Sequence, residues 1–381
     1  MIPILWKEFK DCSGCGACRQ SCNQKAITLK ENEYGFVFPY INKEQCIECG
    51  KCIKICPMKK ELSQKPNPKI YALKYRNNKI LMKSSSGGAF TAVMAVSKPD
   101  AVFGVAFDDS FRVKHICVSS VDEIDRLRGS KYVQSNTGDT YAQTKRLLNE
   151  GKKVLYTGTP CQIAGLNAYL EKIYSNLITC DLVCEGVQSQ KFFDRFLEKK
   201  RKEYGDLTGI KFRDKVRNGW ERSEFRMFFS TGKEYHQICQ TKDVPYMNSM
   251  LFQGGNRDSC YHCPFATIPR QGDFTLADLW GWREIVPEWN DNKGISLILC
   301  NTAKAITYSH LFLEYADVKE ITLDQAKKQN PNLCQPTRMP FNRLEYMEDI
   351  KNLTFDELEK KWLKPRSVIR KILSNLLFKL K

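Results

Sequence analysis

The 381-residue sequence is poor in histidine: His115, His236, His262 and His310 are all it has. They form no H-x-x-x-H pair and no triad with a nucleophile, which leaves hydrolase and zinc-protease chemistry without support. There is no G-x-G-x-x-G, so a Rossmann-type flavin site is not expected. No apolar run is long enough to span a bilayer, and residues 1–10 lack the basic and apolar regions of a secretory signal. Acids are outnumbered by bases, 43 to 60, for a formal net charge of +17. Such an excess suits nucleic acid, a membrane surface or an acidic partner protein. No recognised nucleic-acid-binding motif accompanies it, so no nucleic-acid partner is expected.

Cysteine is abundant, with seventeen residues. Without a secretory signal, that number implies a reducing, cytoplasmic setting and cysteines that hold metal. Eight of them stand in two runs. Cys12, Cys15, Cys18 and Cys22 form C-x2-C-x2-C-x3-C; Cys46, Cys49, Cys52 and Cys56 repeat it, and Pro57 follows. The first three sulfurs of such a run wrap one corner of a cubane, and the fourth serves the other cluster. The expected ligand sets are therefore Cys12, Cys15, Cys18 and Cys56 for one 4Fe-4S cluster, and Cys46, Cys49, Cys52 and Cys22 for a second. Gly14, Gly16, Ala17 and Gly50 let backbone amides approach the sulfurs and raise the reduction potential. Zinc sites pair separated C-x2-C knuckles instead, and a disulfide framework gives the third Cys of each run no role. Residues 8–58 resemble the bacterial-type two-cluster ferredoxins, with Asn23 where that family repeats the proline.

Between the runs, Ala26–Lys30 and Gly35–Tyr40 read as a small hairpin. Lys59–Lys69, with Pro66 and Pro68, reads as a linker. Strand and helix patterns then alternate: Ile70–Lys74, Ala89–Ser97, Ala101–Phe107, Val113–Val118, Thr140–Asn149, Lys153–Tyr156, Gln162–Leu170, Leu177–Val183 and Gln190–Glu203. This argues for an α/β domain. Residues 208–240 are richer in strand signals, Ile295–Leu299 reads as a strand, and Ala303–Glu314 as a helix. The expected organisation is a two-cluster ferredoxin-type domain (1–60), a mixed α/β domain (68–335) and a basic helical extension (340–381). In that extension no acid follows Glu359, and Ile369, Ile372, Leu373, Leu376, Leu377 and Leu380 fall at helical spacing. It reads either as an amphipathic helix meeting an anionic membrane surface or as a terminal helix docked on its own domain.

Four further cysteines occupy suggestive places. Cys161 follows Gly158–Thr159–Pro160 at a strand-to-helix turn, Cys184 ends a strand, and Cys260 and Cys263 form a C-x2-C in a loop. Turns at the ends of parallel strands are where α/β proteins place ligands. A four-sulfur site fits these positions, and a zinc site satisfies the spacing as well.

Seven motifs then make a family resemblance specific. They are Ser84–Phe90, Gly129–Tyr132, Gly158–Leu166, Asp181–Ser189, Ser259–Cys263, Gly272–Gly281 and Asp291–Thr302. Over roughly residues 1–310 the chain resembles the family of coenzyme F-420 hydrogenase/dehydrogenase beta subunits, in its version with an N-terminal ferredoxin domain. The resemblance implies an FAD-binding domain with its own 4Fe-4S cluster on Cys161, Cys184, Cys260 and Cys263. FAD is then expected against Ser86, Gly87, Gly88, Ser130, Lys131, Tyr132 and Thr159. Glycines and helix-start amides suit phosphate, Lys131 suits the pyrophosphate or reduced flavin, and Tyr132 or Trp280 suits ring stacking. Asp273 and Asp278 read as local caps rather than ribose ligands. Glu185 and Gln188 stand where the family usually has His and Pro. With three clusters at roughly −2 each, the net charge falls to about +11.

The implied activity is iron–sulfur flavoprotein oxidoreduction. Electrons pass between a small-molecule two-electron carrier (deazaflavin, nicotinamide or another organic substrate) and 4Fe-4S clusters serving ferredoxin or a redox partner protein. A reductive step in surface polysaccharide metabolism is one setting the resemblance implies. The rival is a non-catalytic electron-transfer adaptor with a degenerate flavin site.

Overall fold

The computed structural model of the chain describes residues 2–61 and 67–365. In the N-terminal part, Gly16 (φ 79°) and Gly50 (φ 70°) open the short helices Ala17–Gln20 and Lys51–Lys54. A left-handed residue follows the second cysteine of each run, and glycine takes that conformation without steric cost. Between the runs, β1 (Ile27–Glu31) and β2 (Val37–Ile41) pair antiparallel, with Thr28 opposite Tyr40.

The rest of the chain builds a mixed eight-stranded sheet. Its strands are β3 (Lys69–Tyr75), β4 (Ala101–Phe107), β5 (Val113–Val118), β6 (Val154–Thr157) and β7 (Leu177–Leu182). After the detour β8 (Leu207–Asp214), β9 (Glu224–Phe229) and β10 (Glu234–Ile238), it is completed by β11 (Phe274–Asp278), β12 (Ser296–Cys300) and β13 (Ala316–Glu320). The order is β13-β3-β12-β11-β7-β6-β4-β5. The central block β11-β7-β6-β4 is parallel, and the outer strands join antiparallel. Parallel strands are covered on both faces, which is why Val154, Leu155 and Tyr156 are all buried. β8–β10 form a separate antiparallel sheet.

The helix expected over Ala303–Glu314 is shorter. It runs Ala303–Ser309 behind the cap Thr302, and a tight turn at Phe312–Glu314 then drives Phe312 into the core. One apolar cluster joins three parts of the chain. Phe36 and Phe38 of the β1–β2 hairpin meet Phe192, Phe193 and Phe196 of the helix Gln190–Tyr204, and Tyr346, Phe355 and Leu358 of the last described helices. The helices Arg343–Asn352 and Phe355–Lys361 are docked there, with Arg195 donating to the Ile350 carbonyl at 2.8 Å. The basic amphipathic stretch expected beyond them, at 366–381, lies outside the described residues. Among the described residues no helix is long and apolar enough to cross a membrane.

Candidate metal centre and adjoining cavity

Each of the four later cysteines is placed by a distinct local device. Thr159 and Gln162 form a reciprocal capping box with Pro160 at the first helical position, so Cys161 sits in the first turn of Pro160–Leu170. Its sulfur lies 3.2 Å from Thr159 Oγ1. Cys184 follows β7, and its sulfur accepts the Gly186 amide at 3.4 Å. Gly186 has φ 110°, and a Cβ there would meet Asn256 Nδ2 at 2.6 Å. Cys260 and Cys263 belong to the tight turn at Asp258–His262 and its end.

All four line one pocket of about 40 Å³, together with Ser13 and Met58 from the N-terminal region. Burial pushes the Cys184 thiol up to about 12 and Cys263 to about 11, and the neighbouring sulfurs add to the rise. Cys161 and Cys260 rise for the same first cause. Four half-buried sulfurs crowded around one small pocket persist as thiolates only around a cation. Among the described residues no three His, Cys, Asp or Glu side chains converge closely enough for a single metal ion. The all-sulfur donor set fits a 4Fe-4S cluster, whose cubane carries its thiolates on four separate corners.

The ferredoxin-type cysteines neighbour one another in two places. The charges of Cys12, Cys15 and Cys56 act on Cys18, and that of Cys12 acts on Cys56. Cys46 and Cys49 act on Cys52, and Cys22 packs in the same small apolar cluster as Cys52. Cys15 also feels Cys161. The two regions touch closely there, since a Cβ on Gly165 would meet Cys15 Sγ at 3.0 Å. Arg257 fastens the joint. Only 1 % exposed, it donates to the carbonyls of Cys12 (2.8 Å) and Val37 (3.0 Å) and to Gln134 (3.2 Å), and lies 4.3 Å over the Phe38 ring. Sequence reasoning missed it, because no motif marks a buried arginine.

A larger cavity of about 320 Å³ adjoins the cysteine pocket and shares Thr159, Cys161, Cys184 and Gly186 with it. Ser86, Gly88, Ser130, Lys131, Tyr132 and Thr159 line it. Gly87 does not. A Cβ there would lie 2.3 Å from Ser296 N and 2.4 Å from Leu73 O, so Gly87 seats the loop against β3 and β12. Ser85 Oγ accepts from Ser130 N at 2.8 Å and Ser130 Oγ at 2.9 Å, joining the two cavity loops. Lys215 donates to the Leu81 (2.7 Å) and Ser86 (3.1 Å) carbonyls and anchors one of them. Lys131 donates to the carbonyls of Arg126 (3.0 Å) and Arg128 (2.8 Å), and burial pushes its amine down to about 7.

The aromatic and acidic expectations divide. Tyr132 packs edge-on to Phe212 at 5.5 Å. Trp280 lines the cavity and stacks on Trp220, with ring centres 5.0 Å apart and planes within 1°. Asp273 is structural: it accepts Thr179 N at 2.9 Å and Thr302 Oγ1 at 2.8 Å. Asp278 lines the cavity, paired with Arg213 and Trp220. Glu185 also lines it, its carboxyl raised by burial. Gln188 is taken up by Ser249 Oγ (2.8 Å) and the Ser189 amide (3.0 Å).

Comparison with known proteins names what these features share. Residues 11–60 match a 4Fe-4S dicluster domain, and a second, overlapping dicluster match covers 38–86. Joined to a mixed α/β domain, this defines an iron–sulfur electron-transfer protein. Residues 151–329 match the family described as the C terminus of the Coenzyme F420 hydrogenase/dehydrogenase beta subunit. That stretch carries the C-terminal domain of this beta-subunit family, as its motifs indicated. One subunit of the Methanosarcina mazei F(420)H(2) dehydrogenase, that designated F, is 20% identical over 270 residues, 66% of this chain and 71% of that protein. A solved structure of the xenon-derivatised F420-reducing NiFe hydrogenase complex from Methanosarcina barkeri contains a chain 16% identical, with a TM-score of 0.47. That match covers 75% of this chain and 93% of the other.

Proposed function

We propose that the protein is a flavin-dependent iron–sulfur oxidoreductase that moves electrons between a two-electron carrier in the cavity and one-electron centres. The observation that carries this reading is the shared wall: Cys161 and Cys184 line both the cavity and the four-cysteine pocket. Cys15 of the first ferredoxin set then neighbours Cys161. Cys18 and Cys22 pack with Cys52 in one small apolar cluster, and Cys49 is exposed, which supports a path from the cavity to the surface. FAD would lie against Ser86, Gly88, Ser130, Lys131, Tyr132 and Thr159; bound there, a flavin supplies two-electron exchange on one side and single-electron exchange on the other. Cys161, Cys184, Cys260 and Cys263 would hold a third 4Fe-4S cluster. The Methanosarcina mazei relative is by name one subunit of a dehydrogenase, which supports a protein partner, ferredoxin or another redox protein, for the exposed end.

Cofactor content after anaerobic purification tests the reading. About twelve irons and one FAD per chain are expected, followed by oxidation of reduced deazaflavin, nicotinamide or ferredoxin in a donor screen. About eight irons and no flavin after incubation with FAD would refute it and leave an electron-transfer adaptor.

A further inference from the structure

Three cationic side chains stand in the cavity wall, Arg128, Lys131 and Arg213. Two are already engaged. Arg128 bonds Asp125 and Thr91 through all three of its nitrogens. Lys131 donates to two carbonyls. Arg213, near the end of β8, differs. Its side chain is 2% exposed. Nη1 pairs with Asp278 Oδ2 at 2.5 Å, and Nε lies 3.4 Å from Ser223 Oγ. Nη2 is buried and has no hydrogen-bond partner among the described residues.

Its neighbours explain why nothing in the fold satisfies that nitrogen. The second oxygen of Asp278 is taken by Trp220 Nε1 at 2.8 Å. Trp280 offers only a ring face, 5.4 Å from the guanidinium carbon. Glu185 lies close enough to interact electrostatically and makes no hydrogen bond to Nη2. The guanidinium is therefore fixed by its carboxylate, its hydroxyl and a stacked indole pair. Buried donors without acceptors are rare and costly. A pre-positioned charged donor in the wall of a cavity is what recognition of an anion requires.

We propose that Arg213 is the recognition point for an oxyanion, carboxylate or phosphate, on the two-electron carrier, with Trp280 as the flat wall beside it. This deepens the redox reading of the cavity and rests on it. The selected substrates are acidic carriers; a neutral quinone or uncharged flavin analogue gains nothing from Arg213.

The test uses the full chain, purified and kept anaerobic, as wild type, Arg213→Gln and Arg213→Lys. Arg213→Lys keeps a cation for Asp278 but lacks the second N–H pair, so it carries the test if Arg213→Gln fails to fold. Tryptophan emission reads the site directly, because Trp280 touches Arg213. Titration with inorganic phosphate is expected to change that emission in wild type, with at least tenfold weaker binding in Arg213→Gln and an intermediate loss in Arg213→Lys. Turnover of an acidic carrier is expected to show KM raised at least tenfold, while FAD content and iron per chain stay at wild-type levels. An unchanged phosphate response and KM would overturn the proposal. Loss of FAD affinity with KM unchanged would overturn it too, by assigning the oxyanion to the cofactor. A chain that binds phosphate through Arg213 but never binds FAD would refute the redox reading and keep the oxyanion site.

Discussion

Around their second cysteines, two runs of one spacing meet opposite surroundings, although at the third position Cys18 is half-buried and Cys52 buried. Cys15 is buried and its counterpart Cys49 is exposed. Ser13 is 7% exposed and its counterpart Ile47 is 65% exposed. Gly14, at φ 71°, is pressed between Gln134 and Arg257, whereas Glu48 holds a similar left-handed conformation, φ 55°, at the surface. A Cβ on Gly16 would meet Thr137 Oγ1 at 2.8 Å; on Gly50 it would meet nothing within 4 Å. The spacing of thiolates selects the cluster type. What each cluster faces is decided by residues far away in sequence, which pack the Cys15 end of the first run against the cavity domain and, among the described residues, leave the Cys49 end of the second exposed. Burial and hydrogen bonds to the ligands tune potential, so the two centres differ in driving force as well as in access.

The largest effects follow from cutting the inner end. Cys161→Ser is expected to lower iron from about twelve to about eight per chain and carrier-to-ferredoxin turnover at least ~100-fold, because cavity and inner run meet at that sulfur. Cys49→Ser is expected to disturb only the outer centre, leaving FAD content and flavin reduction by the carrier intact. Electron paramagnetic resonance with stopped-flow reduction separates the two, and equal loss of flavin reduction in both variants would break the inner–outer distinction.

Arg257→Met comes next. It removes a buried cation and strands the acceptors on Cys12, Val37 and Gln134, an expected loss of about 2–4 kcal/mol in denaturant unfolding. The inner cluster's potential is also expected to fall while the outer one stays, as a redox titration would show. A smaller contrast lies in the paired glycines. Gly50→Ala meets only the left-handed penalty, about 1 kcal/mol. Gly16→Ala adds overpacking against Thr137, roughly 1–3 kcal/mol more. Equal Tm shifts would show that the second run is packed after all.

The smallest effect is one of pH. His115 is buried behind the inner end, its ring nitrogens against Ser135 Oγ and the Thr157 carbonyl, both at 3.1 Å. Burial pushes its pKa down from 6.5 to about 4. The unfolded chain therefore binds the proton first as pH falls, so stability is present above about 6.5 and is lost toward 4. Between pH 7.5 and 5.5 the loss is roughly 1 kcal/mol. His115→Gln is expected to flatten that dependence in urea titrations.

Local features were legible in the sequence and distant ones were not. Strands Ala101–Phe107 and Val113–Val118 and helices Ala89–Ser97 and Thr140–Asn149 have the boundaries their periodicity predicts. The cysteine runs announce themselves within eleven residues each. Resemblance brought Cys161, Cys184, Cys260 and Cys263 together, where spacing alone left zinc open. Arg213 and Arg257 escaped because a charged residue in a strand or loop reads as solvated; burial and fixed partners are properties of the folded neighbourhood. Gly87 was read as a phosphate turn, since sequence shows that a side chain is missing but not which neighbour needs the space.

The bond from Arg257 to the Cys12 carbonyl spans 245 residues. During synthesis at 5–20 residues per second, that separation corresponds to roughly 10–50 s between the appearance of the first cysteine and that of the side chain that closes over it. The inner run is thus translated early and sealed late, which leaves an interval in which iron and sulfide can be delivered to cysteines that the finished protein hides. The outer run has no such deadline.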